Sequence, residues 1–376
     1  MKLSDYIAEF LSKITDSVFV GQGGNIIHVL DSLGKRKDIN VIPSQNEQGA
    51  SIAADAYSRF NNKIGVTAAT SGPGMLNLMQ GIACSFFDSI PTFHFSGAVV
   101  TGQLRKNKKI RQIGFQEMEV VDLVKPITKY AVLLKDKNKI KYELEKMLYI
   151  SMEGRPGPVL MDLPDDLQRA EIEPEKLKGF KSPKIVKKKI KFEKKFLELI
   201  SKAKRPIIIM GHGINLSNTK KELKSFILNT GIPYLPSWAT IDLFPYNDKF
   251  NAGTFGVAAT RHGNFAVQNS DLIISLGCRL NTQITGSNIK SFAPKAKKII
   301  IDIDQNEFKK QNGLKIDLKI NLDLKIFFKN ILQKIKIKKN YDKWINQIES
   351  WKKKYPIVKS EYYDQSKKIN AYVFMK

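Results

Sequence analysis

Between Ile39 and Pro164 the chain places short apolar runs, INVIP, IGVTAAT, PTFHFSG and GPVLMDLP, between longer stretches of helical periodicity. No other feature constrains the fold as strongly. Apolar runs of about four to eight residues bounded by glycine, proline or asparagine read as strands buried on both faces, and the helices between them supply the crossovers that parallel strands require. The alternation resumes near residue 190: FEKKFLELISKA reads as helix, PIIIMG as strand, KKELKSFILNT as helix, and IPYLPSW, SDLIISLG and KKIIIDID as strands. The expected fold is α/β, with two doubly wound parallel-sheet domains. We place the first at residues 1–169, a lysine-rich linker at 170–189, a Rossmann-like central domain at 190–335 and a helical tail at 336–376. No short-period repeat occurs, which excludes a solenoid.

A chain of 376 residues is long enough for two such cores. No apolar run reaches the roughly 18–20 residues of a membrane span, so no membrane association is expected. MKLSDYIAEFLSKI reads as an amphipathic helix rather than a secretory signal, which points to the cytoplasm. Cys84 in GIACSFF and Cys278 in SLGCRL lie in apolar surroundings and are expected as buried free thiols of a reducing compartment. The net charge of +26 comes mostly from lysines in stretches such as KSPKIVKKKIKFEKKF. No nucleic-acid-binding pattern accompanies them, so they read as solvated faces and no nucleic-acid partner is expected.

Chemistry enters with four stretches of the first domain: GQGGN at 21–25, NEQGA at 46–50, TSGPGMLN at 70–77 and GFQE at 114–117. Glycine at a strand-to-helix turn is ordinarily demanded by backbone angles alone. Glu47 opens a helix, where a carboxylate can simply complement the dipole and cap free N–H groups. In this order and spacing, closed by EGRPGPVLMDLP at 153–164, the four stretches resemble the pyrimidine-binding domain of thiamine-diphosphate enzymes, and among them the catalytic subunit of acetolactate synthase.

The resemblance implies decarboxylation and carbon–carbon bond formation on small 2-oxo acids. It makes Glu47 the acid that hydrogen-bonds N1′ of the cofactor's aminopyrimidine, and Gln116 a side chain that reaches the reacting centre. Gly24 matches the glycine that lets backbone approach the thiazolium. Gly72, Pro73 and Gly74 match the turn that brings backbone to the pyrimidine, with Asn77 as a hydrogen-bonding partner. Departures leave the substrate open: Asn25 replaces a small apolar residue, Ala98 in SGAVV stands where a glutamine is usual, and RQIGFQE replaces GTDAFQE.

In the central domain, PIIIMGHGI places Gly211 and Gly213 after a strand, and IDIDQNEF places Asp302 and Asp304 at the end of another, where a ribose hydroxyl can be held. Packing of strand against loop explains the same glycines. The resemblance implies FAD here, with Arg279 in LGCRL as the flavin-contacting arginine, but RLNT and GVAA depart from the family pattern and leave FAD open. The family holds Mg²⁺ and the diphosphate through Gly-Asp-Gly and Asn-Asn, and neither a GDG nor a metal-ligand spacing among His28, His94, His212 and His262 occurs here. No metal ligand is assigned. Mg²⁺ is expected through a domain not in this chain, and the expected macromolecular partner is a second copy, as a homo-oligomer, or a partner chain that carries the diphosphate domain. The alternative is a non-catalytic relic or regulatory subunit that keeps the fold and binds a nucleotide.

Overall fold

Six short strands build the first sheet: β1 (Ser17–Val20), β2 (Asn40–Pro43), β3 (Gly65–Ala69), β4 (Thr92–Ala98), β5 (Tyr130–Leu133) and β6 (Val159–Pro164). The order is β2-β1-β3-β4-β6-β5, and every pairing is parallel. The computed structural model describes all residues except 62, 108, 184–190, 310–312, 336–338, 365–367 and 376. It divides into two units, Met1–Val186 and Lys187–Lys376.

Burial follows position in the sheet. Every residue of β3, β4 and β6 is buried, whereas the edge strand β2 is mostly exposed, as expected where helices cover both faces. On one face, α1 (Leu3–Ser12), α2 (Ile27–Gly34) and a later helix, Ile140–Met152, pack apolar stripes that include Leu3, Ile7, Leu11, Leu33 and Leu144 against Val18, Val66, Phe93 and Phe95. Full burial of a phenylalanine contributes about 2–3 kcal/mol. On the other face, α3 (Glu47–Asn61), α4 (Pro73–Asp88) and α5 (Val120–Val124) bring Ala50, Ala54, Met75, Leu78, Ile82 and Val124 onto Phe19, Ala69 and Leu160. Small residues let α3 and α4 lie close: a Cβ on Gly81 would stand 2.4 Å from Ser51 Oγ.

The α3/α4 face also encloses polar groups. His94 is fully buried between Thr67 Oγ1 at 2.7 Å and Thr92 Oγ1 at 2.8 Å, and burial pushes its pKa down to about 3, so the ring is neutral at ordinary pH. Arg59 and Ser85 both bond Asp55 beneath the two helices.

Part of the segment read as a linker lies on this first unit. Leu3 N donates to Ala170 O and Ile172 N to Met1 O, each at 2.9 Å, and Ile172 and Leu177 join the first core. Residues 184–189 of that segment lie outside the described residues.

The second unit carries a five-stranded parallel sheet, β7 (Pro206–Met210), β8 (Tyr234–Pro236), β9 (Leu272–Leu276), β10 (Lys297–Asp302) and β11 (Leu318–Asn321), in the order β11-β10-β9-β7-β8. Phe192, Phe196, Phe226, Phe327 and Phe328 form an aromatic cluster in its core. The helix Asp342–Lys354, within the segment read as a tail, packs on this unit by burying Trp344 and Ile348, and Trp344 Nε1 donates to Pro206 O at 3.0 Å.

The two thiols differ. Cys278 is buried as expected, but Cys84 is exposed, because its place on α4 faces away from α3 and the sheet. Among the described residues no helix is long and apolar enough to cross a membrane.

Candidate functional site

In the first sheet the chain runs from β1 outward to β2 and then returns to the other side of β1 for β3. That reversal opens a crevice beyond the carboxyl ends of β1 and β3, the place where doubly wound sheets bind ligands. Gly21 follows β1 there, Thr70 to Gly72 follow β3, and α3 begins at Glu47 after the neighbouring β2.

Glu47 is not the cap of its helix. Asn46 Oδ1 accepts the Gln48 N–H at 2.8 Å and Asn46 O accepts that of Ala50, so the preceding asparagine performs the capping. The Glu47 side chain is free to turn into the crevice, where Asn77 Nδ2 on α4 donates to its Oε2 at 2.9 Å. Two glycines make room for it. A Cβ on Gly21 would stand 2.2 Å from Glu47 Cγ, and one on Gly74 would stand 3.2 Å from Glu47 Oε1.

Gly72 takes φ +61° and ψ −120° as the N-cap of α4, with Pro73 in the first helical turn. A side chain is disfavoured in that conformation. Gln116, also left-handed at φ +62°, lies against it: a Cβ on Gly72 would be 3.0 Å from both Gln116 Cβ and Gln116 O. Gly24 differs from all of these, since a Cβ there would meet nothing within 4 Å. The crevice therefore gathers Glu47, Gly72, Gly74, Asn77 and Gln116, with Gly24 facing open space.

The motifs assign no role to three further residues, two in the loops of the crevice and one in the sheet beside it. Gly21 makes space for Glu47, a role its place directly after an apolar run could have signalled. Asn25 Nδ2 donates to Ser71 Oγ at 2.6 Å and Asn25 O accepts from Gln168 Nε2 at 2.7 Å, tying the loops after β1 and β3 to the end of β6. The departure at position 25 thus has a structural use. Asp162 on β6 is buried one strand from Ser96, which itself registers with Ala69 at the end of β3. Burial, reinforced by the charge of Glu119 and opposed by a Ser96 hydrogen bond, raises its pKa to about 8.

In the second unit the reversal falls between β7 and β9. Gly213 N donates to Gly277 O at 3.1 Å and Gly211 N to Leu276 O at 3.0 Å, while Ile214 N turns back to Gly211 O. A Cβ on Gly211 would stand 2.1 Å from Gly277 O, and one on Gly277, at φ +57°, 2.7 Å from Gly213 Cα. Asp302 Oδ1 accepts from Asp304 N and Asp304 Oδ1 from Asn306 N, each at 2.9 Å. Arg279 lines a narrow crevice with Glu307, Leu280, Ile300 and Phe308.

Two domain models match this chain: "thiamine pyrophosphate enzyme, N-terminal TPP binding domain" over residues 1–123 and "thiamine pyrophosphate enzyme, central domain" over residues 194–333. The chain belongs to the thiamine pyrophosphate enzyme family. It is 31% identical over 368 residues to acetolactate synthase 2, chloroplastic, of Nicotiana tabacum, covering 95% of this chain and 54% of the relative. It is 34% identical over 355 residues to the probable acetolactate synthase large subunit of Methanococcus aeolicus, covering 88% and 56%. With the acetolactate synthase large subunit of Corynebacterium glutamicum the identity is 31% over 350 residues, covering 91% and 54%. The chain spans about half the length of these relatives.

For a thiamine pyrophosphate enzyme, the first crevice fits the aminopyrimidine half of the cofactor. It offers a carboxylate aimed by an amide, a glycine turn without side-chain obstruction and open space at Gly24. Among the described residues no group of three His, Cys, Asp or Glu side chains could hold a metal ion. The central turn offers little to the diphosphate of FAD. The N–H groups of Gly211, Gly213 and Ile214 donate to main-chain carbonyls, and Gly211, Gly213 and Gly277 are small because two loops touch there. The turn opens a helix of only four residues, Gly213–Leu216, too short to offer a dipole of any consequence.

Proposed function

We propose that this chain supplies the aminopyrimidine half of an acetolactate-synthase-like site acting on small 2-oxo acids, a transferase that joins carbon–carbon bonds after decarboxylation. The single observation that carries this reading is the Glu47 carboxylate, relieved of capping by Asn46 and held by Asn77 between two glycines at the mouth of the switch-point crevice. When bound, thiamine diphosphate supplies a carbon nucleophile and the electron sink for decarboxylation.

The protein's part is proton handling and placement. Glu47 would exchange a proton with N1′ of the aminopyrimidine. Asn77 fixes the direction of the carboxylate, and Gly72 and Gly74 keep side chains out of the way. Gln116, beside Gly72, would face the substrate.

The reading places Mg²⁺ and the diphosphate outside this chain's described residues, on a partner that carries the diphosphate-binding portion. An outward face of α3 and α4 supports such a partner. Ile52, Leu76 and Phe87 are exposed on it, and α4 carries a single charged residue, Asp88, in its sixteen. A cytoplasmic location completes the proposal.

The test is to add the diphosphate-binding portion of one of the relatives in trans and follow the C2 hydrogen exchange of bound thiamine diphosphate. Glu47→Gln should slow exchange by orders of magnitude while the cofactor still binds. Equal rates in the two proteins would overturn the reading.

A further inference from the structure

The described residues from Arg105 to Glu117 form a loop built like a clamp, and the residue it delivers is Gln116. The Glu117 carboxylate reaches back along the loop: Oε1 accepts the Arg105 N–H at 2.6 Å and Oε2 that of Ile113 at 2.8 Å. From the other side, Arg105 Nη1 donates to Ile110 O and Arg111 O, each at 2.8 Å, and Nη2 pairs with Glu119 at 3.3 Å. With its amide oriented to accept, Gln112 takes the N–H groups of Gln116 at 3.0 Å and Glu117 at 3.2 Å. Burial works against the Glu117 carboxylate, yet the N–H groups of Arg105, Ile113 and Gly114 and the Arg105 charge hold its pKa below the ordinary range.

A loop tied this thoroughly has something to hold. Gln116 sits at φ +62°, a region that a side-chain-bearing residue enters only when its surroundings impose it. It meets Gly72, itself at φ +61°, and a Cβ on that glycine would come within 3.0 Å of Gln116. Two left-handed residues thus lie against each other at the mouth of the crevice.

We propose that Arg105 and Glu117 are positioning residues that hold Gln116 in its left-handed conformation against Gly72, so that the substrate-facing wall of the site is formed before any ligand arrives. The role of that wall rests on the reading of Glu47 given above. The clamp itself does not, because it is a balance between strain at one residue and hydrogen bonds from two others.

The balance makes a specific thermodynamic cycle. Glycine at position 116 carries no such strain, so it should make the clamp dispensable. Amide hydrogen exchange is measured on the full chain for wild type, Glu117→Ala, Gln116→Gly and the double variant. Glu117→Ala should raise exchange across 105–117 by about tenfold while the amides of β3 and β4 stay protected. Gln116→Gly alone should leave the loop protected, and in the double variant the amides that the Glu117 carboxylate does not bond, those of Gln116 and Glu117 among them, should return to within about threefold of wild type, the readout on which the cycle is judged. Glu117→Gln, which keeps one acceptor, should fall between. Unchanged exchange in Glu117→Ala, or a double variant as open as the single one, overturns the proposal. Titration with thiamine diphosphate, with the diphosphate-binding portion added in trans as above, separates the two ideas: binding absent from every protein would remove the reading of the site, and the exchange cycle would still decide the clamp.

Discussion

Asn77 Nδ2 donates to Glu47 Oε2 at 2.9 Å, joining the first turns of α4 to the first residue of α3 across thirty positions of sequence. This bond aims an acid that helix chemistry alone would have kept at its own N-terminus. Asn46 makes it possible by taking over the cap.

Stability and chemistry should therefore separate at adjacent residues. Asn46→Ala is expected to cost about 1 kcal/mol of folding stability, and Glu47→Gln less than about 0.5 kcal/mol. Urea melts of the two variants check this. A larger loss for Glu47→Gln would return the capping role to the glutamate. Asn77→Ala should slow C2 hydrogen exchange in the reconstituted site by roughly tenfold, the value of one lost hydrogen bond.

The glycines of the crevice should divide in the same way. Alanine at Gly21 would place a methyl 2.2 Å from Glu47 Cγ, so the helix or the acid must move. A destabilisation of about 1–3 kcal/mol is expected, as for other overpacked sites. Alanine at Gly24 meets nothing within 4 Å and should leave the melting temperature unchanged while weakening thiamine diphosphate binding. Calorimetry of each variant, and thiamine diphosphate titration with the diphosphate-binding portion added in trans, distinguish the two.

Asp162 sets a pH dependence. In the unfolded chain its carboxyl titrates near 3.8, whereas burial keeps it protonated in the folded protein up to about pH 8. Between these values the folded state binds more protons, so unfolding free energy falls as pH rises, by at most about 1.4 kcal/mol per pH unit, and the slope vanishes above about pH 8. Asp162→Asn should flatten that slope. Urea midpoints at about pH 5, 6.5 and 8, spanning the window between the two pKa values, measure it. Parallel slopes in the two proteins would show that another group is responsible.

The central domain should take up no flavin. Purified chain is expected to lack the visible absorbance of a bound flavin and to give no saturable quenching of added FAD fluorescence. Gly213→Ala should lower stability by about 1–3 kcal/mol through its clash with Gly277, with no effect on the FAD titration. Stoichiometric FAD on the purified protein would mean that the contact between the two loops opens.

The parallel α/β character of both units was legible from the sequence, because strands buried on both faces must be written as uninterrupted apolar runs and their crossovers as helices. β1 was harder to see. SVFV is four residues long and borders a polar turn, and only its pairing with β2 and β3 gives it a central place. The sequence alone also presented Glu47, Gly72, Gly74, Asn77 and Gln116, because the order and spacing of the short stretches that contain them resemble those of a known family. It could not say whether Glu47 caps its helix, whether the glycines at 211 and 213 admit a ligand or another loop, or which way Cys84 faces. Those answers depend on what lies across the crevice, thirty or more residues away along the chain, and only tertiary packing brings Asn77 to Glu47 and Gly277 to Gly213.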